Sequence, residues 1–334
     1  MKMELGKLPL DLLERYVLGR RGAKSEKVLI GPKLGVDVGI VEVDGRYMVS
    51  STDPITGTPE RIGWLSIHIV ANDVATSGAE PKYILSTILL PEGADEDMLN
   101  AILEDMDRAA RELNISILGG HTEVTPKLDR PIVIATCIGF ADSFVTSANA
   151  RDGDVILMTK RAGIEGTAVI ASTYRHILEK MGFKEIEEAE RLFNEISVVR
   201  DALLAYSTGG VNAMHDPTEG GILGGVYEMS LASELGFVIY EDRIPVYGVT
   251  RKLCSVLNIN PLKLLGSGSL LISAKPEMAD KVIQALKNHG IEVAEIGRFT
   301  KKDRVVVDKR GRKLKVEPPI KDELWRIEEI IPLP

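Results

Sequence analysis

Five carboxylates in the 334-residue chain, Asp37, Asp53, Asp73, Glu123 and Asp216, stand alone at the ends of regular segments, several of them beside glycines or an amide. A magnesium ion on a triphosphate needs only one or two protein carboxylates, the rest of its shell being phosphate and water. Scattered aspartates in glycine-framed segments suit that chemistry. Each alone is also what turns and helix caps use. His121, Glu123 and His215 are the candidate general bases, and three is a low count that fits catalysis by positioning and charge neutralisation. Other chemistries lack their residues. No G-x-S-x-G elbow is present, and Cys137 and Cys254 have no electropositive surroundings. The five histidines show no zinc spacing, and neither a Walker A loop nor a dinucleotide G-x-G-x-x-G follows the first strand.

The elements that would carry these residues can be read from periodicity. Ile62 to Pro81, IGWLSIHIVANDVATSGAEP, is apolar nearly all round a helical projection, which describes a buried helix. Asn72 and Asp73 sit in its middle, where a carboxylate is costly unless it is paired or binds a cation. Gly78 supplies a stop, with Pro81 beyond. Upstream, VDVGIVEV and RYMVSSTD flank Asp44-Gly45, a strong hairpin signal. That antiparallel pairing brings Asp37 and Asp53 to the same end. Residues 8–18 read as a first helix, 82–90 as a strand, 95–113 as an amphipathic helix and 131–140 as a strand. Ile115 to Leu118 reads as a strand running into Gly119-Gly120-His121. Ala148 to Asp154 is a polar, turn-rich boundary. After it come a strand at 155–159, a glycine turn opening a helix at 163–167, helices over 185–206, and His215-Asp216-Pro217-Thr218-Glu219-Gly220-Gly221 before a helical segment at 222–235. Leu264 to Ile272 reads as a glycine-broken strand and 277–299 as a βαβ-like stretch. The expected architecture is an α+β first half up to that boundary and a further domain after it.

Composition excludes several classes. A net charge of −8 argues against general nucleic-acid binding, and no apolar run approaches a membrane span. The opening MKMELGKLPLDLLERY lacks a signal peptide's apolar core, so a cytoplasmic location is expected. Two cysteines make no disulfide framework.

Taken in order, GVDVGIVEV (35–43), SSTDPITGTP (50–59), ANDVATSGAEP (71–81), GGHTEV (119–124) and MHDPTEGG (214–221) resemble the PurM-like, AIR synthase-related superfamily. That superfamily includes thiamine-monophosphate kinase, selenophosphate synthetase and the hydrogenase maturation factor HypE; HypE and HypE-like proteins show the closest likeness. The resemblance covers nearly the whole chain. It implies a two-domain fold, an α+β domain over 1–149 that dimerises by pairing sheets and an α/β domain over 150–334, with ATP near the dimer interface and its phosphates bridged by Mg2+. By motif position Asp37, Asp53 and Asp73 would be metal or phosphate ligands, and Asn72 would position phosphate or substrate. Asp216 would reach the same cleft from the second domain and act as a further metal ligand. Gly119 and Gly120 would let backbone approach the nucleotide. Three departures stand out. Val36-Asp37 replaces a pair of acidic residues, His121 replaces an aspartate of HypE and the thiamine-phosphate kinase, and no cysteine follows Cys254 where HypE carries its C-terminal acceptor. The resemblance therefore implies ATP-dependent phosphoryl transfer to, or activation of, an oxygen on a small molecule or carbamoyl-type group. A small-molecule kinase of the thiamine-monophosphate type, or a non-catalytic nucleotide-binding subunit in a maturation complex, are the alternatives.

Overall fold

The computed structural model describes residues 5–318 and 320–331. Two sheets organise it, one on each side of the boundary. The first has six strands in the order β1-β2-β3-β6-β4-β5. These are β1 (Val28–Ile30), β2 (Gly39–Val43), β3 (Arg46–Ile55), β4 (Glu80–Leu90), β5 (Ser116–Val124) and β6 (Ile132–Ala141). Between β2 and β3 the turn takes Asp44 at φ 49° and Gly45 at φ 81°, as the sequence predicts for a tight hairpin. The apolar stretch folds as α1 (Ile62–Thr76), all fifteen residues of which are buried. Its flank packs on α2 (Glu96–Glu112), opened by Asp95, whose carboxylate accepts from Met98 N at 2.9 Å. At the start of the chain the expected helix is present over 10–18, but its second part is wound as a π-helix, Leu13–Leu18.

The second sheet has seven strands in the order β13-β12-β9-β11-β7-β10-β8. They are β7 (Val155–Thr159), β8 (Val211–His215), β9 (Gly236–Tyr240), β10 (Leu271–Ala274), β11 (Val293–Thr300), β12 (Arg304–Val307) and β13 (Lys313–Lys315). Around them lie α3 (Ile164–Thr173), α4 (Val199–Ser207), α5 (Gly221–Ala232), α6 (Gly248–Leu257), α7 (Ala279–Asn288) and α8 (Glu323–Ile330). The fold is thus mixed α+β in two domains. Among the described residues of the second sheet only β9 and β12 pair in parallel, so that sheet is mostly antiparallel. Two expectations are corrected here. The 277–299 stretch is a helix and one strand whose partners are antiparallel. The strand expected over 264–272 begins only at Leu271, because Gly266-Ser267-Gly268 is a loop pressed between backbones. A Cβ on Gly266 would lie 2.8 Å from the Pro217 carbonyl, and one on Gly268 2.8 Å from the Glu195 carbonyl.

Candidate functional site

The hairpin and α1 bring the first three aspartates together. Asp37 precedes β2, and the register Gly39↔Ser50 sets it opposite the end of β3 that carries Asp53. Ser51, between them, has its Oγ 3.0 Å from the Asp37 carbonyl oxygen and 2.6 Å from Asp73 Oδ2. A serine has one proton. Both contacts are satisfied together when Asp73 is protonated and donates to Ser51 Oγ, which then donates to Asp37. Burial pushes the Asp73 carboxyl well above the usual carboxylate range, and the neighbouring Asp216, Asp53 and Asp37 push it further.

Asp216 arrives from the second domain, on the loop after β8. It is fully buried, and its carboxylate oxygens meet no N–H or hydroxyl donor of another residue; its side-chain contact is the Asp73 carboxyl. Burial raises it to about 7, and burial with the Asp37 charge raises Asp53 to about 6. Two cations temper this acidity. His215 Nδ1 lies 3.0 Å from Asp37 Oδ2, and its Nε2 lies 3.0 Å from Glu228 Oε2 on α5. Burial opposes charge on the ring, but Asp37 and Glu228 outweigh it and raise His215 to about 10. Burial likewise opposes charge on Asp37, yet His215 brings it down to about 2. Lys7 Nζ, from the opening segment, completes the chain at 2.8 Å from Glu228 Oε1. Both ring nitrogens of His215 are therefore engaged, which differs from the free base expected of it.

Asp322 fixes the loop that carries Asp216. It accepts from Gly220 N at 2.6 Å, Leu265 N at 3.3 Å and Leu324 N at 2.8 Å. Asn72 faces elsewhere than expected. Its Nδ2 donates to the Ile196 carbonyl at 3.0 Å, and its Oδ1 accepts from Val198 N at 2.8 Å. Its amide is spent on protein backbone, where a phosphate contact was expected.

Gly119, Gly120, His121 and Glu123 lie apart from this cluster in the same chain. β5 runs straight through the two glycines, every residue of it is exposed, and it pairs only with β4. Asp53, Ala135, Ser86 and Gly120 form one cross-strand row. Three strand spacings separate its ends, roughly 14 Å at about 4.8 Å per strand. A Cβ on Gly120 would collide with the Ser86 carbonyl, so strand packing alone requires glycine there. His121, one residue on, points to the opposite sheet face from Asp53. Its Nε2 lies 3.0 Å from Glu123 Oε2, and this bond lowers the Glu123 pKa.

Among the described residues no three His, Cys, Asp or Glu side chains converge closely enough to cage an ion. The cleft fits a different kind of site. Asp216 offers two buried oxygens that meet no N–H or hydroxyl donor, and carboxylate oxygens are hard donors of the type magnesium prefers. An ion that takes its other ligands from phosphate and water suits such an open donor set. Sequence reasoning missed Ser51, Glu228 and Lys7. Glu228 carried a signal, as the lone charged residue in GILGGVYEMSLA; the other two carried none.

Comparison with known proteins matches this architecture. The AIR synthase related protein N-terminal domain matches residues 35–141, and the corresponding C-terminal domain matches 151–310. The chain belongs to that family. It is 31% identical over 281 residues to the carbamoyl dehydratase HypE of Cupriavidus necator, covering 80% of this chain and 77% of that one. The crystal structure of Escherichia coli HypE, a hydrogenase maturation protein, is similar with TM-score 0.72 and 26% identity, over 81% of this chain and 85% of that one. A structure of HypE in complex with ATP is similar with TM-score 0.70 and 26% identity, over 93% and 95%. No helix among the described residues is long and apolar enough to cross a membrane.

Proposed function

We propose that this family member binds Mg–ATP at the Asp37–Asp53–Asp73–Asp216 cleft and uses it to phosphorylate or activate an oxygen on a small molecule or carbamoyl-type group. The observation that carries the reading is Asp216, whose two fully buried oxygens meet no N–H or hydroxyl donor while the charges of Asp73, Asp53 and Asp37 act on the same buried region. Burying such a group costs several kcal/mol unless a cation or proton meets it, so the arrangement is costly without a ligand. The ATP-bound HypE structure and the carbamoyl dehydratase relatives support the choice of nucleotide and of substrate class. Magnesium, when bound, would neutralise phosphate charge, and Asp37, Asp53, Asp73 and Asp216 are the carboxylates that would hold it. Lys7 and His215 hold Asp37 and Glu228 in place.

The homodimer belongs to the same proposal. β5 leaves one edge unpaired, with Ile117, Leu118 and Val124 exposed, and the sheet face away from α1 carries half-exposed Ile132, Ile134, Ile138 and Phe140. An open edge beside an apolar face is what a second sheet would cover. On that arrangement Gly119, Gly120, His121 and Glu123 would lie at the dimer interface rather than at the carboxylate cluster of their own chain.

A second reading, a nucleotide-binding subunit without turnover in a hydrogenase maturation-type complex, is favoured by the engagement of both His215 nitrogens, which leaves no free imidazole beside the carboxylates. One experiment separates the two. Calorimetry of ATP binding across magnesium concentrations is followed by ADP release with a panel of carbamoyl compounds and small-molecule acceptors, thiamine phosphate among them. Binding with acceptor-dependent ADP supports the enzyme, and a thiamine phosphate response would make it a kinase of that type. Tight binding without ADP supports the subunit, and no binding at any magnesium concentration refutes both.

A further inference from the structure

The carboxylates of the cleft come from two domains, and a separate set of bonds fixes their spacing. Segment 193–198 of the second domain lies along α1 and is held by side chains at almost every residue. Trp64 Nε1 donates to the Phe193 carbonyl at 2.8 Å, and Asn72 brackets Ile196 and Val198 as described. On the same segment Lys160 Nζ donates to the carbonyls of Glu195 at 2.8 Å and Ser197 at 2.6 Å, with Asp201 Oδ2 at 4.0 Å. Lys160 ends β7 in the left-handed region, at φ 51°, and its side chain is 14% exposed. A buried ammonium is costly unless its protons are met, and here two carbonyls accept from it while the Asp201 carboxylate stands farther off as an opposite charge. His68, fully buried between Trp64 and Asn72 on the same helix face, has no hydrogen-bond partner at either ring nitrogen and contributes only ring packing against Trp64, at 4.3 Å between centroids.

The segment connects to Asp216 through close backbone packing. Gly268 abuts the Glu195 carbonyl, and Gly266 abuts the Pro217 carbonyl and donates its N–H to Thr218 O at 3.1 Å. A displacement at Glu195 therefore reaches the residue after Asp216 through one tight loop. At the other end, Asn72 adjoins Asp73 on α1.

We infer that Lys160 and Asn72 are positioning residues for the cation site, setting the distance between Asp73 and Asp216 by stapling segment 193–198 across the domain seam. The inference rests on the Mg–ATP reading of the cleft. Neither residue touches the ion; both act through the backbone that carries its ligands. The test is the magnesium concentration that half-saturates binding of a non-hydrolysable ATP analogue, measured by calorimetry on the full chain. Lys160→Met is expected to raise that concentration about tenfold, as loss of an outer-shell partner does, with saturating magnesium restoring analogue binding. Asn72→Ala should shift it the same way, and the double variant by less than the product, because both hold one segment. A lower melting temperature with an unchanged magnesium midpoint would overturn the inference, since a purely structural staple predicts that pattern. If Lys160→Met does not fold, Asn72→Ala and Lys160→Arg carry the same readout. The arginine keeps the charge but not the two-carbonyl geometry, and a wild-type midpoint in both would equally overturn it. Failure of the wild type to bind the analogue at any magnesium concentration is a different result, which removes the parent reading.

Discussion

Two motif-bearing regions of this chain have opposite physical characters. The cleft at α1 is buried, acidic and short of partners, whereas β5 is exposed along its whole length, with its histidine and carboxylate satisfied by each other. Both were candidates on residue type alone. The difference teaches that a buried acidic cluster needs a proton or a cation to meet its electrostatic cost, while an exposed strand with an open edge leaves a surface to be covered. The cleft stores its cost in Asp216 and Asp73, and the strand stores its cost in unpaired backbone and apolar side chains.

The largest expected effect tests the cleft. Asp73→Ala or Asp216→Ala should weaken Mg–ATP binding by about a hundredfold or more, as removal of a direct ligand would be expected to exceed the outer-shell effect. Metal-free melting should not fall correspondingly, because each substitution removes a buried carboxylate that repels its neighbours. Calorimetry and a melting curve together check this, and unchanged affinity would take that residue out of the site. Next comes the strand. Leu118→Lys should shift the mass by light scattering from dimer to monomer while circular dichroism stays that of the folded chain. A dimer that survives would move the interface away from β5.

A pH series gives a smaller, signed effect. Burial holds Asp53 at about 6 and Asp216 at about 7 against an ordinary 3.8, so the folded chain binds those protons more tightly than the unfolded one. The stability they contribute is complete at low pH and is lost as pH rises through about 6 to 7. His215, raised to about 10, has the same sign, being fully stabilising below 6.5 and losing its contribution toward 10. Asp37, lowered to about 2, contributes above 3.8 and loses it only as pH falls toward 2. The melting temperature of the metal-free chain should therefore fall between pH 5 and pH 8, and magnesium with an ATP analogue should recover much of the loss. A rise over that range would contradict a protonated cluster. The smallest effect is His121→Ala, expected to alter Mg–ATP affinity by no more than about threefold, since the ring is 63% exposed on the far sheet face. A loss as large as that of Asp73→Ala would show that β5 reaches a cleft directly.

Much of this was legible in the sequence, for identifiable reasons. α1 announced itself because a helix apolar on every side has to be buried, and the Asp44-Gly45 hairpin because only a few residue pairs tolerate two positive φ values in succession. From the hairpin the approach of Asp37 to Asp53 followed, whereas Asp73 was joined to them only through the family resemblance. What periodicity could not show is pairing across the fold. Ser51 between two aspartates, and Lys7 reaching Glu228 from 221 residues away, are tertiary facts with no local signal. Gly266 and Gly268 misled for the opposite reason: flanked by apolar residues they read as a broken strand, when their role is to let two other backbones approach. Asn72 was singled out correctly as out of place in a buried helix, but its direction round the helix, about 100° from Asp73, decides that it serves the seam.

The bond from Gly220 to Asp322 spans 102 residues and has a consequence for the order in which the molecule is made. As the chain leaves the ribosome, the three early aspartates can assemble on hairpin and helix while the loop bearing the fourth still lacks the carboxylate that pins it. Until residue 322 emerges, the nascent protein holds an unfinished site, open on the side where Asp216 will stand. A newly made chain would thus gain its grip on a charged ligand in a single late step, after both domains are in place.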